Sequence, residues 1–158
     1  MDELNRYLDA APDYSQSFTD RVSRMGAELS DVLSTDLSHD DDMNYSAGQK
    51  LGLLLLPNGS PTTDPRAAVY SLGIWISSKG PLWTRMLHCS QEGVLVWHPC
   101  SLTGLPDPAL LATINDFMRG KGLTLVDEDT LGQMAEGKET EMDGAPATIR
   151  DVLFCETC

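Results

Sequence analysis

Basic residues are scarce in this chain of 158 residues, where 11 Lys and Arg stand against 24 Asp and Glu and the formal net charge is −13. No two basic residues are adjacent. Binding a polyanion requires Lys and Arg side chains that replace its counterions. We therefore expect neither nucleic acid nor an anionic membrane surface as a partner, whereas a basic protein would be attracted.

Long apolar runs and targeting signals are also missing. The longest apolar run, Leu51 to Leu56 with Gly52 inside it, is far shorter than the roughly 20 residues that span a bilayer. The first residues, Met1 to Arg6, lack the basic and apolar stretches of an export signal. We expect a cytoplasmic protein, whose four Cys are thiols or metal ligands rather than disulfides.

Sequence motifs of enzymes are absent as well. There is no glycine-rich phosphate loop, no Gly-x-Ser-x-Gly elbow and no His-Glu-x-x-His helix. Only three His are present to act in acid–base catalysis, namely His39, His88 and His98. We predict a protein without a catalytic residue or a cofactor, although a site assembled only in space stays an alternative.

The acidic residues lie in two flanks around a nearly neutral centre. Residues 1–46 hold 11 acids and 3 bases, residues 47–104 hold 2 and 4, and residues 105–158 hold 11 and 4. The length, and a hydrophobic content of 41%, predict a single domain over residues 1–158 with its own core. The surplus of acid either attracts a basic partner or only keeps the protein soluble.

The pattern of apolar residues predicts helices in the first flank. Phe18, Val22, Met25, Leu29, Val32 and Leu33 form one stripe at helical spacing. We predict a helix from about Ser15 to Leu37, a shorter one over Asp2 to Ala10, and a polar loop over Ser38 to Asp42.

The neutral centre predicts an antiparallel meander of three or four strands. Its segments are Leu51–Leu56, Val69–Ile76, Leu82–Cys89 and Val94–Pro99, and the last two are joined by Ser90–Gly93. All three Trp (Trp75, Trp83 and Trp97) lie in this region, where packing in the sheet is their expected role.

The second flank predicts helix again, followed by short strands. Asp107-Pro108 is typical of a helix N-terminus, and Gly120 of its end. A short strand over Leu123–Val126, a short helix from Asp127 to Met134, and a hairpin around Asp143–Pro146 follow. The order of helices, β-meander, then helices with short C-terminal strands predicts an α+β fold.

The cysteines offer one candidate metal set. The chain closes on Cys155-x-x-Cys158, the usual half of a zinc site, and His98-x-Cys100 lies upstream. If Gln91 and Glu92 form the tip of the hairpin, Cys89 and Cys100 lie about 17–20 Å apart, because strands rise by about 3.4 Å per residue. Any metal would then use His98, Cys100, Cys155 and Cys158, but we expect ordinary thiols and no metal.

The acidic segments differ in how easily structure explains them. Asp127–Asp129 and Asp107 lie where helix N-termini favour negative charge. Two other groups have no such explanation, and we interpret them as contact residues for a partner. They are Asp40, Asp41 and Asp42, and Glu139, Glu141 and Asp143.

About a third of the chain resembles a known class of proteins. Gly122–Val126, Thr130-Leu131 and Ala147–Phe154 resemble the C-terminal portion of small bacterial immunity proteins. The resemblance implies a cytoplasmic inhibitor that binds a cognate toxin, often one that attacks nucleic acid and is therefore basic. An acidic partner would associate rapidly with such a toxin.

These observations predict a non-enzymatic, protein-binding immunity protein that neutralises a basic toxin. Two alternatives stay open: a small enzyme or metal-stabilised domain built on His98, Cys100, Cys155 and Cys158, and an acidic secretion chaperone or adaptor.

We predict no measurable affinity for single-stranded or duplex nucleic acid at physiological salt, because the bases are dispersed and outnumbered. A gel-shift assay tests this. Micromolar or tighter binding would contradict it.

Overall fold

A mixed sheet of seven strands forms the centre of the computed structural model, which describes residues 2–90 and 96–158. The helices are α1 (Asp2–Leu8), α2 (Gln16–Leu33), α3 (Pro108–Gly120), α4 (Glu128–Leu131) and α5 (Ile149–Leu153). The strands are β1 (Ser38–Asp40), β2 (Gly48–Leu55), β3 (Pro61–Thr62), β4 (Tyr70–Ser77), β5 (Leu82–Cys89), β6 (His98–Cys100), β7 (Thr124–Leu125), β8 (Met134–Glu139) and β9 (Pro146–Thr148). The fold is α+β, as predicted.

The strands of the sheet follow the order β1-β2-β4-β5-β6, and each neighbouring pair is antiparallel. β3 pairs with the end of β2, and β7 adds a short parallel pairing to the start of β5. A separate hairpin is formed by β8 and β9. The predicted meander is therefore confirmed. It is extended by β1 and β3, which the sequence did not indicate, and by β7, which lies within the strand predicted over Leu123–Val126.

Helices cover both faces of this sheet. Residues that alternate along a strand point to opposite faces, and Leu53, Leu72 and Leu87 are register partners on the face that packs with α2 and α3. Trp75 and Leu82 lie on the other face, in a core shared with α1, α4 and α5. The two acidic flanks thus pack on the same sheet.

The helix α2 confirms most of its predicted stripe and corrects its C-terminal end. Phe18, Val22, Met25 and Leu29 are buried, but Val32 is 53% exposed. The helix ends at Leu33 rather than Leu37, because Ser34 takes a left-handed backbone conformation (φ 54°).

The segment after α2 is also corrected. Ser38 to Asp40 form strand β1, paired with Lys50 to Gly52 of β2, where the sequence predicted loop. The polar composition of this segment gives no strand signal in the sequence. The segment forms a strand because the neighbouring β2 supplies its hydrogen-bonding partners. In the second flank α4 ends at Leu131, and Met134 already begins β8. The predicted tip of the β5–β6 hairpin, Gln91 and Glu92, and the start of its second strand lie outside the described residues.

Side-chain caps fix where several helices begin. Ser15 accepts a hydrogen bond from the N–H of Phe18, and Asp107 accepts one from the N–H of Ala109 at 3.0 Å. Asp127 caps α4, and Thr148 forms a capping box with Asp151 at the start of α5. Each cap satisfies backbone donors that the helix leaves without a partner.

We expect Asp107→Ala to lower the free energy of unfolding by about 0.5–2 kcal/mol, because α3 loses its N-cap. Asp107→Asn should cost much less, since Asn caps helices nearly as well as Asp. Urea denaturation measures both changes.

Asp116→Ala is the matched control, because it removes an exposed acid from the same helix, where Asp116 forms only a surface ion pair with Arg119. Equal losses for Asp107→Ala and Asp116→Ala would show that capping is not the role of Asp107.

Candidate functional site

A cleft of about 260 Å³ lies between the N-terminal segment, the chain that leads into β2, the β8–β9 hairpin and α5 with the residues that follow it. Its floor is built by the C-terminal segment. The N–H of Glu156 donates to the carbonyl of Tyr45 at 3.0 Å, and Ser46 and Cys155 form an antiparallel bridge. The last residues thus extend the backbone pairing beyond α5.

The side chain of Glu156 holds the loop of the β8–β9 hairpin in place. One carboxylate oxygen accepts the N–H of Glu141 at 2.7 Å, and the other accepts the N–H of Met142 at 2.9 Å. Hydrogen bonds to an ionised acceptor are stronger than neutral ones. This loop therefore has a defined position relative to Tyr45.

Carboxylates dominate the charge of this cleft. Five acids line it against two lysines, and the acids are Asp9, Glu139, Glu141, Asp151 and Glu156. Both lysines are engaged within the protein. Lys79 donates to the carbonyl of Leu8 at 2.8 Å, and Lys138 pairs with Asp9.

Titration shifts agree with these contacts. Burial lowers the pKa of Lys79, with a smaller contribution from the charge of Lys138. The hydrogen bond from Lys138 and the positive charge of that lysine lower the pKa of Asp9. With five acids against two lysines, the cleft presents an excess of negative charge.

Large apolar side chains are exposed beside these acids. Tyr14 is 60% exposed, Met142 49% and Tyr45 38%. Partial burial, with a smaller effect of the Glu141 charge, raises the pKa of Tyr14, so its ring lies near that carboxylate. Tyr45 has a left-handed backbone (φ 57°), which is unusual for a bulky residue and is found most often at functional sites. The acidic–aromatic surface is the name used below for Tyr14, Tyr45, Glu139, Glu141, Met142 and Glu156.

The structure brings together only part of the predicted acidic site. Glu139 and Glu141 belong to the acidic–aromatic surface, and Asp143 lies in the same hairpin loop. Asp40 ends β1, and Asp41 and Asp42 lie in the loop after it, a few residues before Tyr45. These three acids do not line the cleft that holds Glu139 and Glu141.

Several of these acids have structural roles, which corrects the expectation that structure does not explain them. Asp40 accepts the N–H of Asp42, and Asp42 accepts the N–H of Asn44, in two successive turns. Hydrogen bonds from the Thr140 hydroxyl and the Ala145 N–H lower the pKa of Asp143. The loops that carry the acids are shaped by the acids themselves.

The predicted geometry of the cysteines is wrong. Cys100 pairs with Leu87, and His98 with Cys89, rather than Cys100 with Trp83 or Thr84. His98 begins β6 and pairs with Cys89, a register that differs from the one a tight turn at Gln91 and Glu92 would give. Cys89 and Cys100 are consequently close, two positions apart in the register of β5 and β6.

The cysteine states also differ from expectation. Cys155 and Cys158 form a disulfide, in which state they are not metal-binding thiolates, whereas Cys89 and Cys100 are free thiols. Burial, with a smaller effect of Cys89, raises the pKa of Cys100 to about 12. His98 is exposed on β6. No group of three or more His, Cys, Asp or Glu side chains within the described ranges has an arrangement that would hold a metal ion.

The sequence did not single out Tyr14, Tyr45, Met142 or Glu156. These residues come from four separate segments, and no periodicity or spacing connects them. Aromatic residues in polar, turn-rich segments were the one available signal, because such residues are exposed more often than those in apolar stripes.

No helix in residues 2–90 or 96–158 has the length and hydropathy required to cross a bilayer. Comparison with known proteins finds no family model, no curated protein and no solved structure that matches this chain. Function is therefore inferred from residues and geometry alone.

We expect Glu156→Ala to accelerate hydrogen exchange at the amides of Glu141 and Met142 by on the order of tenfold, because both lose their charged acceptor. Exchange followed by nuclear magnetic resonance measures each amide separately.

Glu136→Ala is the control, since it removes another exposed glutamate from β8. Unchanged exchange at both amides in Glu156→Ala would mean that the carboxylate does not position the loop.

Proposed function

We propose that this protein is a non-enzymatic, cytoplasmic immunity protein that binds a toxin with a basic surface through the acidic–aromatic surface. The observation that carries the proposal is the combination of exposed Tyr14, Tyr45 and Met142 with carboxylates whose neighbouring lysines are engaged inside the protein. The resemblance of the C-terminal third to immunity proteins supports the same function.

Exposed aromatic side chains fit the anchor positions of a protein interface. Tyr is enriched among the residues that supply most of the binding energy, and Met and Tyr are enriched in interface cores. Tyr14 and Tyr45 lie on one cleft with Glu139 and Glu141. The aromatic side chains that would anchor a partner and the carboxylates that would attract it thus lie on one surface.

The carboxylates fit the second requirement, which is rapid and selective encounter. Complementary charge increases the rate of association and disfavours partners of the wrong sign. The net charge of −13 repels polyanions and attracts a basic domain. Because Glu156 fixes the loop that carries Glu141 and Met142, little conformational entropy is lost there on binding.

A role as a partner-binding surface fits this cleft better than catalysis. The described residues that line it include neither His nor Cys. Asp151 accepts hydrogen bonds from the N–H of Thr148 and from Arg150, and Glu156 accepts two backbone N–H groups. These carboxylates stabilise the local backbone and contribute to the negative charge of the cleft.

Capture of the partner from a lysate of the native host, followed by its identification, is the first experiment. A toxin supports the proposal, whereas a secreted effector would identify a chaperone instead. Binding kinetics with the purified partner then test the surface itself.

We expect association to slow sharply between about 0.1 M and 1 M salt, because the screening length falls from about 10 Å to about 3 Å. The triple variant Glu139→Gln, Glu141→Gln and Asp143→Asn should lower the association rate on the order of tenfold at low salt. The double variant Tyr14→Ala and Met142→Ala should mainly increase the dissociation rate. Surface plasmon resonance measures both rates.

A triple variant of three exposed acids outside this surface, Asp31→Asn, Asp36→Asn and Asp116→Asn, is the matched control. The control removes the same number of negative charges, and it should lower the association rate less than the triple variant at Glu139, Glu141 and Asp143 does. Equal effects of the two triples, or an association rate independent of salt, would show that the acid only solubilises the protein.

A further inference from the structure

A second cleft, of about 290 Å³, lies at the edge of the sheet, away from the acidic–aromatic surface. β6 pairs with Leu87 to Cys89 and β7 with Leu82 and Trp83. The middle residues of β5, including Arg85 and Met86, lie between these two partner strands. The edge cleft is the name used below for this gap, which α4 and α5 border.

Apolar atoms and two guanidinium groups line the edge cleft together. Met86, Pro99, Leu131 and the disulfide-bonded Cys158 contribute apolar surface, and the sulfur of Cys158 lies 3.6 Å from that of Met86. Arg85 and Arg150 contribute charge. An apolar cavity with a few convergent polar groups is the usual form of a small-molecule site.

The guanidinium of Arg150 has a donor that lacks a partner. Its Nε atom is buried without a hydrogen bond to any described residue, while one terminal nitrogen donates to Asp151 at 3.1 Å. Leaving a buried donor unsatisfied is unfavourable. A rotamer that turns the guanidinium toward an acceptor in the cleft would therefore be favoured once that acceptor is bound.

Arg85 offers further donors. It donates to the neutral side chain of Asn115, and a guanidinium has five N–H donors and stays charged in proteins. Two carboxylates lie nearby: Glu128 accepts the N–H of Leu102, and Asp151 accepts the N–H of Thr148 and pairs with Arg150. Burial, with a smaller effect of Lys50, lowers the pKa of His88, so its ring is neutral at neutral pH.

We propose that the edge cleft binds a small organic acid with an apolar body. Its carboxylate accepts hydrogen bonds from Arg150, Arg85 adds positive charge at the same edge of the sheet, and its apolar body lies against Met86, Leu131 and Cys158. Arg is the side chain best suited to this contact, because its planar fork matches a carboxylate. The volume, close to the lower limit of about 300 Å³ for ligand pockets, selects a small ligand.

The net charge of −13 does not prevent this binding. At physiological salt, exposed charges beyond about 8 Å are largely screened, so the nearest groups determine the local potential. Within the described part of the lining, two arginines stand against one acid, Glu128, and Asp151 beside the cleft pairs with Arg150.

Isothermal titration calorimetry with octanoate, 1-octanol and acetate tests the proposal. Octanoate carries both the carboxylate and the apolar body, and each of the others carries one of them. We expect octanoate to bind with a Kd of roughly 0.1–1 mM, as suits so small a ligand, and the other two to bind at least tenfold more weakly. Octanoate should also shift the amide resonances of His88, Cys100 and Gly132, which line the cleft.

Arg150→Gln should weaken octanoate binding by about tenfold or more, because a charged donor is lost. Arg119→Gln removes an exposed arginine elsewhere and should leave the affinity unchanged. If Arg150→Gln does not fold, the affinity of the Arg85→Gln variant for octanoate is measured instead. Undetectable octanoate binding, equal binding of 1-octanol, or an affinity unchanged by the substitution in the cleft would overturn the proposal.

Discussion

Pairing between the C-terminal segment and the chain that enters β2 holds the molecule together. The N–H of Gly48 donates to the carbonyl of Phe154 at 2.9 Å, and the pairing continues through Ser46 and Cys155 to Tyr45 and Glu156. A side chain at Gly48 would meet the Ile76 carbonyl oxygen at 2.8 Å, so only glycine permits this close approach. Through these contacts, α5, the β8–β9 hairpin and the central sheet acquire one fixed relative position, on which the acidic–aromatic surface depends.

Strong local signals made much of the fold predictable. The stripe of α2, the N-cap and proline of α3, and the β-branched and aromatic composition of β4 each specify an element without help from the rest of the chain. β1 and β3 were harder to predict, because each is short and exists through its pairing with the longer strand β2. Such strands depend on tertiary contacts that no local pattern records.

The candidate site was predictable only in its charge. Glu139 and Glu141 were expected as contact residues because the composition shows an acidic excess, but their proximity to Tyr14 and Tyr45 arises from the pairing of the C-terminal segment. The predicted separation of Cys89 and Cys100 was wrong for a related reason. β5 and β6 pair with Cys89 opposite His98, which is not the register that a turn at Gln91 and Glu92 gives, and a change of register moves every cross-strand neighbour.

The distribution of ion pairs explains how one acidic chain can carry two surfaces of different character. Lys121 pairs with Glu28, Arg119 with Asp116, Lys138 with Asp9 and Arg150 with Asp151, so these four bases are matched locally. At the acidic–aromatic surface Lys79 donates to the carbonyl of Leu8 and Lys138 pairs with Asp9, whereas Glu139 and Glu141 are exposed to solvent. At the edge cleft two arginines line the surface, and Arg150 keeps one donor without a partner although it pairs with Asp151. The local arrangement of charged side chains therefore decides whether a surface attracts cations or anions, and the net charge alone does not reveal it.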